Sequence, residues 1–578
     1  TAGELHCSGL DSLLNPSIVA RSPAQLGQDH IPRPKLSNPR WPQPHPRPHQ
    51  VQPSPVVDMT TLQPRPPYTD AELAALYPPS LQLQNVQILL RHGERTPVTP
   101  RFQEHGLPAF WPYCKAVRHL RSAVMDVDHP DASPDAQFST LAWKRRLETM
   151  SHKDAPIIAA GKHGELDDIC DMGMLTDKGR ATTTHLGRRL RALYVDRLGF
   201  LAPSLDADNV DTLYLRATPI QRALESMQQT LHGLYPPANR APDLPPVNVL
   251  ARAIGEETLF PNEGNCRRFA ILARAFAQRA AERWNDSPEM DYLTRQLGRY
   301  LPDPSARVAV DGKPRLSGIM DTMNATYAHG PDTKLPKAFY DPKVKDIIET
   351  IGVEEWYAGY RESEEYRTLG IGGLLGDVVA RMVGSVEQTT ADGQYELQRR
   401  GQGHAPAVRF GLSGCHDTTL AAILSSLGTF GHKQWPPFTS HIAIELFRHT
   451  TAPDRPPPAA PTTGSWLASL FGASGKPSLS PAGVPPAGGI GRTKMFDLTP
   501  AERERLEGYY VRVRYNDEPV TVPGCKQQGN HLEGDESFCT LAAFKSIVDK
   551  FTPVDWRQQC RININETPFP EKNQPSGF

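Results

Sequence analysis

Residues 91–97 read Arg91-His92-Gly93-Glu94-Arg95-Thr96-Pro97 and follow directly on the apolar stretch 85–90. Two guanidinium groups flank an imidazole. Guanidinium forks offer planar, bidentate donors that match a tetrahedral phosphate. An imidazole kept neutral among them is a nucleophile that needs no metal. Two more apolar stretches end in residues of the same kind. Asp211 to Leu215 stops at Arg216, and Val408 to Leu412 stops short of His416-Asp417. Brought together, Arg91, Arg95 and Arg216 would hold one phosphoryl group, with His416 as a further donor to its oxygens. His92 would attack the phosphorus, and Asp417 could protonate the departing oxygen. These are the parts of a two-step phosphomonoester hydrolysis. Five defined positions (R-H-G-x-R-x-P) arise by accident in about one such chain in a thousand at ordinary residue frequencies.

Blander readings exist for each residue. A lone histidine is usually a satisfied polar group, but burying His92 between two cations without an anion is costly. Arg216 alone would be a surface arginine. Asp417 could simply cap the helix that starts there, and can do so alongside a catalytic role. Glu94 reads as a solvated or supporting charge, not an acid catalyst. Arg101 reads as a surface residue, with a second substrate phosphate as the alternative. His30, His45 and His49 sit among prolines and are not read as a metal site.

The elements that must position these residues alternate between strands and helices. Val86, Ile88 and Leu90 alternate as in a strand, and further strands are expected at 211–215, 408–412, 442–447 and 509–515. Leu186, Leu190, Leu193 and Tyr194 fall on one helical face, with Thr176 as N-cap. Leu420, Ile423, Leu424 and Leu427 form a second such stripe. This order predicts an α/β fold: a mostly parallel central sheet flanked by helices. Ligands of open sheets bind beyond the carboxyl ends of the strands, where the three candidate segments fall. Residues 251–400 read as helices, clearest over Cys266–Trp284 and 371–386, and predict a smaller α-helical cap inserted between two strands. The core then divides into 81–250 and 401–568, with a tail at 569–578. Residues 452–492 read as a low-complexity insertion with a short apolar piece at Trp466 to Phe471.

The chain has 578 residues, 63 basic and 64 acidic, and 57 prolines. The balanced charge argues against a general nucleic-acid binder. No run of about 18 apolar residues is seen, which argues against an ordinary membrane span. Sixteen prolines lie within residues 1–80. Proline fixes φ and lacks a donor, so this segment is expected to be disordered or polyproline-like. The chain opens at Thr1, not Met, and is read as a fragment or processed product. Secreted, vacuolar and intracellular (including mitochondrial) locations stay open. Three Asn-x-Ser/Thr sequons, at Asn285, Asn324 and Asn565, do not decide between them. Cys525, Cys539 and Cys560 allow two readings: a Cys525–Cys539 disulfide, or three reduced thiols.

The R-H-G-x-R-x-P segment with the late His416-Asp417 pair resembles the histidine acid phosphatase family (histidine phosphatase superfamily, clade 2). Gly173-Met174-Leu175-Thr176 with Gly179 resembles its G-x-L-T-x-x-G stretch. Arg216-Ala217-Thr218 with Arg222 and Ser226, ending at Leu234-Tyr235-Pro236, resembles its R-S/A-T element. Pro437 to Phe447 resembles the strand after the H-D helix. The likeness covers about residues 83–565. It implies His92 as the nucleophile that becomes phosphohistidine, and Arg91, Arg95, Arg216 and His416 as phosphate ligands. It implies Asp417 as proton donor and water as the final acceptor, with no metal or organic cofactor. The substrate would be a small phosphomonoester. The spacing of Val522-Pro523-Gly524-Cys525, Cys539 and Cys560 is similar to lysophosphatidic acid phosphatase-like members.

Other functions compete with this one. Phytase specificity would use the same chemistry on a basic pocket rim, and lysophosphatidic acid phosphatase specificity would use an apolar groove. A mutase or fructose-bisphosphatase-like member would lack the Arg95–Pro97 pair. A non-catalytic phosphate-binding scaffold, with the Pro-rich segment serving an SH3 or WW partner, would be expected to lose a core residue. His92, Arg95, His416 and Asp417 are all present.

Overall fold

The computed structural model describes residues 60–127, 137–303, 305–387, 408–431, 434–452 and 490–578. Helix α1 (Asp70–Leu76) begins at a capping box: the Thr69 hydroxyl accepts the Glu72 N–H, and the Glu72 carboxylate accepts the Thr69 N–H. Strand β1 (Leu81–Arg91) ends at the R-H-G segment. Val86, Ile88 and Leu90 enter one hydrophobic cluster and Leu89 the other, so both faces of the strand are covered. Two antiparallel ribbons follow, β2 (Leu120–Met125) with β3 (Phe138–Trp143) and β4 (Glu148–Met150) with β5 (Pro156–Ile158). Helix α2 (Asp177–Arg191) starts at Thr176, whose hydroxyl accepts the Gly179 N–H. Strand β6 (Leu213–Ala217) and helix α3 (Gln221–Leu234) complete the first half.

The next segment carries no strand among its described residues; its helices include α4 (Arg267–Trp284), α5 (Pro288–Leu297), α6 (Leu316–Ala328), α7 (Pro342–Glu362) and a further helix at Gly373–Glu387. It lies between β6 and β7 (Phe410–Cys415) in the chain. Its apolar residues share one cluster with Cys415, Leu420, Ile442 and Ile444 of the sheet layer, so the cap and core have a continuous interior. Within residues 364–387 an 18-residue window is apolar enough to span a membrane by composition, yet 78% of it is buried in this interior.

After β7 come the Asp417–Ser426 helix, β8 (His441–His449), β9 (Tyr509–Tyr515), β10 (Glu518–Val520), β11 (His531–Leu532) and β12 (Asp535–Thr540). The sheet order is β11-β12-β9-β8-β1-β7-β6, with β10 paired to β9. The expected mostly parallel sheet is instead mixed. Only β1, β7 and β6 run parallel; β8, β9, β11 and β12 pair antiparallel. Side-chain alternation does not report strand direction. The Asp417–Ser426 helix and its loop return the chain to the end of β1 it had just left, pairing Leu90 with His441, so β8 must run back. Asn516 and Asp517, both at positive φ, close the β9–β10 hairpin.

Two expected boundaries shift. Residues 60–80 are part of the fold: Leu62 and Thr60 exchange backbone hydrogen bonds with Phe438, and Leu73 is buried. The 569–578 tail is also docked, with the Gln574 N–H on the Glu362 carbonyl and the Gly524 N–H on the Gly577 carbonyl. Proline limits helix and sheet but leaves carbonyls free for such bonds. Trp466 to Phe471 lies outside the described residues. Disulfides join Cys114–Cys170, Cys266–Cys560 and Cys525–Cys539, and Cys415 is a buried free thiol. The 525–539 alternative thus resolves to the bridge, while Cys560 pairs with distant Cys266.

Candidate active site

The three parallel strands deliver their ends side by side. Arg91 is in register with Cys415, and Ala217 with Gly414, so His92, His416 and Thr218 follow on one edge. The turn after β1 packs onto the start of α2. A Cβ on Gly93 would lie 2.4 Å from the Gly179 carbonyl oxygen, and one on Gly179 would lie 2.2 Å from the Glu94 oxygen. Glycine is therefore required on both sides, which links the R-H-G and G-x-L-T-x-x-G elements physically. Thr176 reinforces the crossing: its N–H and its hydroxyl both donate to the Glu94 carbonyl, at 2.9 and 3.1 Å.

His92 is 1% exposed. Its Nδ1 is 2.9 Å from the Gly93 carbonyl. A carbonyl only accepts, so Nδ1 carries the proton and Nε2 keeps its lone pair. Burial, then Arg222, Arg95, Arg91 and His416, hold its pKa well below the ordinary histidine value. This environment favours the neutral imidazole. The His92 and His416 rings lie 5.5 Å apart, nearly edge-on. His416 caps the Asp417–Ser426 helix, and its Nε2 is 3.1 Å from the Thr218 hydroxyl. Burial and Arg222 lower its pKa to about 3.

Asp417 Oδ2 is 2.8 Å from Arg91 Nη2 and accepts the Trp435 indole N–H at 2.9 Å. Its Oδ1 accepts the Thr418 N–H at 2.8 Å. Burial alone would raise its pKa; Arg91, Trp435 and Arg95 outweigh it and hold it below the usual carboxylate range. Phe438 floors the site: the Arg91 guanidinium stands 4.1 Å from the ring centroid, that of Arg95 5.8 Å, and the His92 ring 6.0 Å. Backbone bonds from residues 60–62 pin Phe438, and the Thr61 hydroxyl donates to Glu94. Glu94 is fully buried, not solvated, and also accepts the Thr182 hydroxyl at 2.6 Å.

Of the expected site residues, Arg91, His92, Arg95, His416 and Asp417 converge. Arg216 does not join them. It alternates with Leu215 and Ala217, which enter the cluster under α2 and α3, so its side chain leaves by the other sheet face. There it pairs with Glu257, and with Asp377 at 3.8 Å. The third arginine is Arg222, in the first turn of α3. After burial it is the largest influence on both histidines. Burial and Arg95 lower its own pKa to about 10. The Nε atoms of Arg91, Arg95 and Arg222 are buried without an acceptor among the described residues. Three crowded cations with unused donors fit an anion. Arg222 stood in the R-A-T motif, but its place after a helix start, not a strand end, hid it.

The sequence profile of the histidine phosphatase superfamily, branch 2, matches residues 82–456. The chain belongs to this family. A probable acid phosphatase of Schizosaccharomyces pombe is 34% identical over 490 residues, covering 84% of this chain and 95% of that protein. Human lysophosphatidic acid phosphatase type 6 is 24% identical over 372 residues, covering 64% of this chain and 74% of that protein. Among solved structures, the phytase of Citrobacter braakii is 12% identical with a TM-score of 0.45, covering 83% of this chain and all of that one. Like its acid phosphatase relatives, this member of the family is a phosphomonoester hydrolase.

Proposed function

We propose that the protein is an acid phosphatase working through a phosphohistidine on His92. Arg91, Arg95 and Arg222, with His416, bind the phosphoryl oxygens. The His92 Nε2 lone pair attacks phosphorus, and the phosphorus–oxygen ester bond breaks. Asp417 gives its proton to the leaving oxygen. Water then attacks phosphorus, the phosphorus–nitrogen bond breaks, and the Asp417 carboxylate takes the water proton. His92 returns neutral and inorganic phosphate leaves. Arg216 is a structural ion-pair partner in this scheme, not a phosphate ligand.

The observation that supports this reading most is the Nδ1 contact of His92 with Gly93, because it frees Nε2 beside three arginines with unused donors. The three disulfides fit folding in an oxidising compartment. Phosphate release from p-nitrophenyl phosphate, phytate and a lysophosphatidic acid between pH 3 and 8 tests the reading. Turnover with an acidic optimum, lost in His92→Ala, is expected. Turnover that survives in His92→Ala contradicts it.

A further inference from the structure

The mechanism leaves one carboxylate at the site without a task. Asp321, on α6, places Oδ1 2.8 Å from Arg95 Nη1. Its Oδ2 accepts the Val98 N–H at 3.0 Å and lies 3.8 Å from Arg101 Nη1. The Arg101 guanidinium lies against Gly318, one turn earlier: a Cβ there would stand 2.9 Å from its central carbon. Helix α6 thus inserts a single negative charge between an arginine of the phosphate cradle and an arginine outside it. That charge also acts on Arg91 and Arg222.

The charges around the site can be compared with a substrate. Arg91, Arg95, Arg222 and Arg101 oppose Asp417 and Asp321, while both histidines are neutral. In the resting site, with Asp417 ionised, the excess is two positive charges, which one monoester dianion cancels before Asp417 takes up its proton. A second phosphate on the leaving group would meet the Asp321 carboxylate where Arg101 would otherwise receive it, and like charges in a partly buried site repel strongly. Beside Asp321, Met320 and Trp435 both lie within 4 Å of a Cβ built on Gly352, and the same Trp435 holds Asp417. The Trp435 side of the proton donor is therefore apolar.

We infer that Asp321 is a specificity-determining residue that restricts the site to phosphomonoesters whose leaving group carries no second phosphate. The inference rests on the phosphatase reading above and narrows its substrate class. The test compares kcat/KM of wild type, Asp321→Asn and Asp321→Glu on p-nitrophenyl phosphate and glycerol 2-phosphate against fructose 1,6-bisphosphate and phytate. Asparagine keeps an acceptor for Val98; glutamate keeps the charge. The wild type is expected to prefer the monophosphates. Asp321→Asn should raise the ratio of polyphosphate to monophosphate kcat/KM about tenfold, mainly through KM, and adding Arg101→Ala should remove that gain. Asp321→Glu should keep wild-type discrimination. A wild type that prefers phytate, or an Asp321→Asn variant that lowers both substrate classes in equal proportion, overturns the inference and leaves Asp321 a support for Arg95. No turnover by wild type on any of the four substrates would instead sink the phosphatase reading itself.

Discussion

Arg91 Nη2 and Asp417 Oδ2 are 2.8 Å apart, joining the ends of two adjacent parallel strands. The pair couples the phosphate cradle to the proposed proton donor. With Arg91 Nη2 on Asp417 and Nη1 on the Pro436 carbonyl, the carboxyl is held ionised. A phosphate dianion shares the guanidinium and places negative charge beside Asp417, and both effects raise its pKa. The donor is thus prepared by the substrate it serves.

Asp417→Asn keeps the side-chain shape and one of the two acceptor oxygens that serve Trp435 and Thr418, but has no acidic proton. The expected loss is about 10²–10⁴-fold in kcat for an alkyl phosphate, in line with general-acid contributions. The loss should be much smaller for p-nitrophenyl phosphate, whose leaving group needs no proton. Steady-state rates on both substrates check this; equal losses would remove Asp417 from the donor role.

Arg222→Ala and Arg216→Ala should separate function from stability. Removing Arg222 relieves crowding among cations, so thermal stability should hold while kcat/KM falls by about 10²-fold or more. Removing Arg216 leaves Glu257 buried without its partner, a change that costs about 3–5 kcal/mol. Thermal melts beside kinetics on both variants give the answer. A reversed pattern would restore Arg216 to the cradle.

Stability should depend on pH through the two histidines. Both have folded-state values depressed below the unfolded one. As pH falls below about 6.5, the unfolded chain takes up protons that the folded chain refuses, so stability declines. Asp417, Asp377 and Glu445 are depressed carboxylates; their contribution is present above about pH 4 and is lost as pH falls further. As pH falls between about 6.5 and 5 the histidines lower stability, while Glu263, Glu349 and Glu355, whose pKa values burial raises, act in the opposite direction. The histidine share shows as a difference between variants: melting temperature across this range should fall less in His416→Asn than in wild type.

The Cys266–Cys560 bridge ties the start of α4 to the C-terminal region across a sequence separation of 294. Cys266→Ser with Cys560→Ser should cost about 2–5 kcal/mol of stability. Chemical denaturation would show it. The site lies on other segments, so KM for p-nitrophenyl phosphate should be unchanged.

Much of this architecture could be read from residue order. The alternation of Val86, Ile88 and Leu90 and the stripe from Leu420 to Leu427 mark a strand and a helix whose partners are apolar, and the structure buries all of them. His92, Arg95, His416 and Asp417 announced themselves by type and spacing. Three things did not show. Strand direction is absent from a period-two pattern, so the antiparallel half of the sheet was unseen. Arg216 lies on β6, whose alternation sends it to the other sheet face, while Arg222 lies in the first turn of α3, and the motif that holds both does not say which one enters the site. Asp321 reaches the site from α6, more than 220 residues after Val98, which it touches, and no local motif marks such a contact.

The most direct test of the phosphohistidine account is to map the phosphorylated residue during turnover. A brief incubation with a ³²P-labelled monoester, quenched in alkali to preserve phosphohistidine, is followed by peptide analysis. The account predicts acid-labile label on His92. Steady phosphate release with no labelled protein, or label on any other residue, would contradict it.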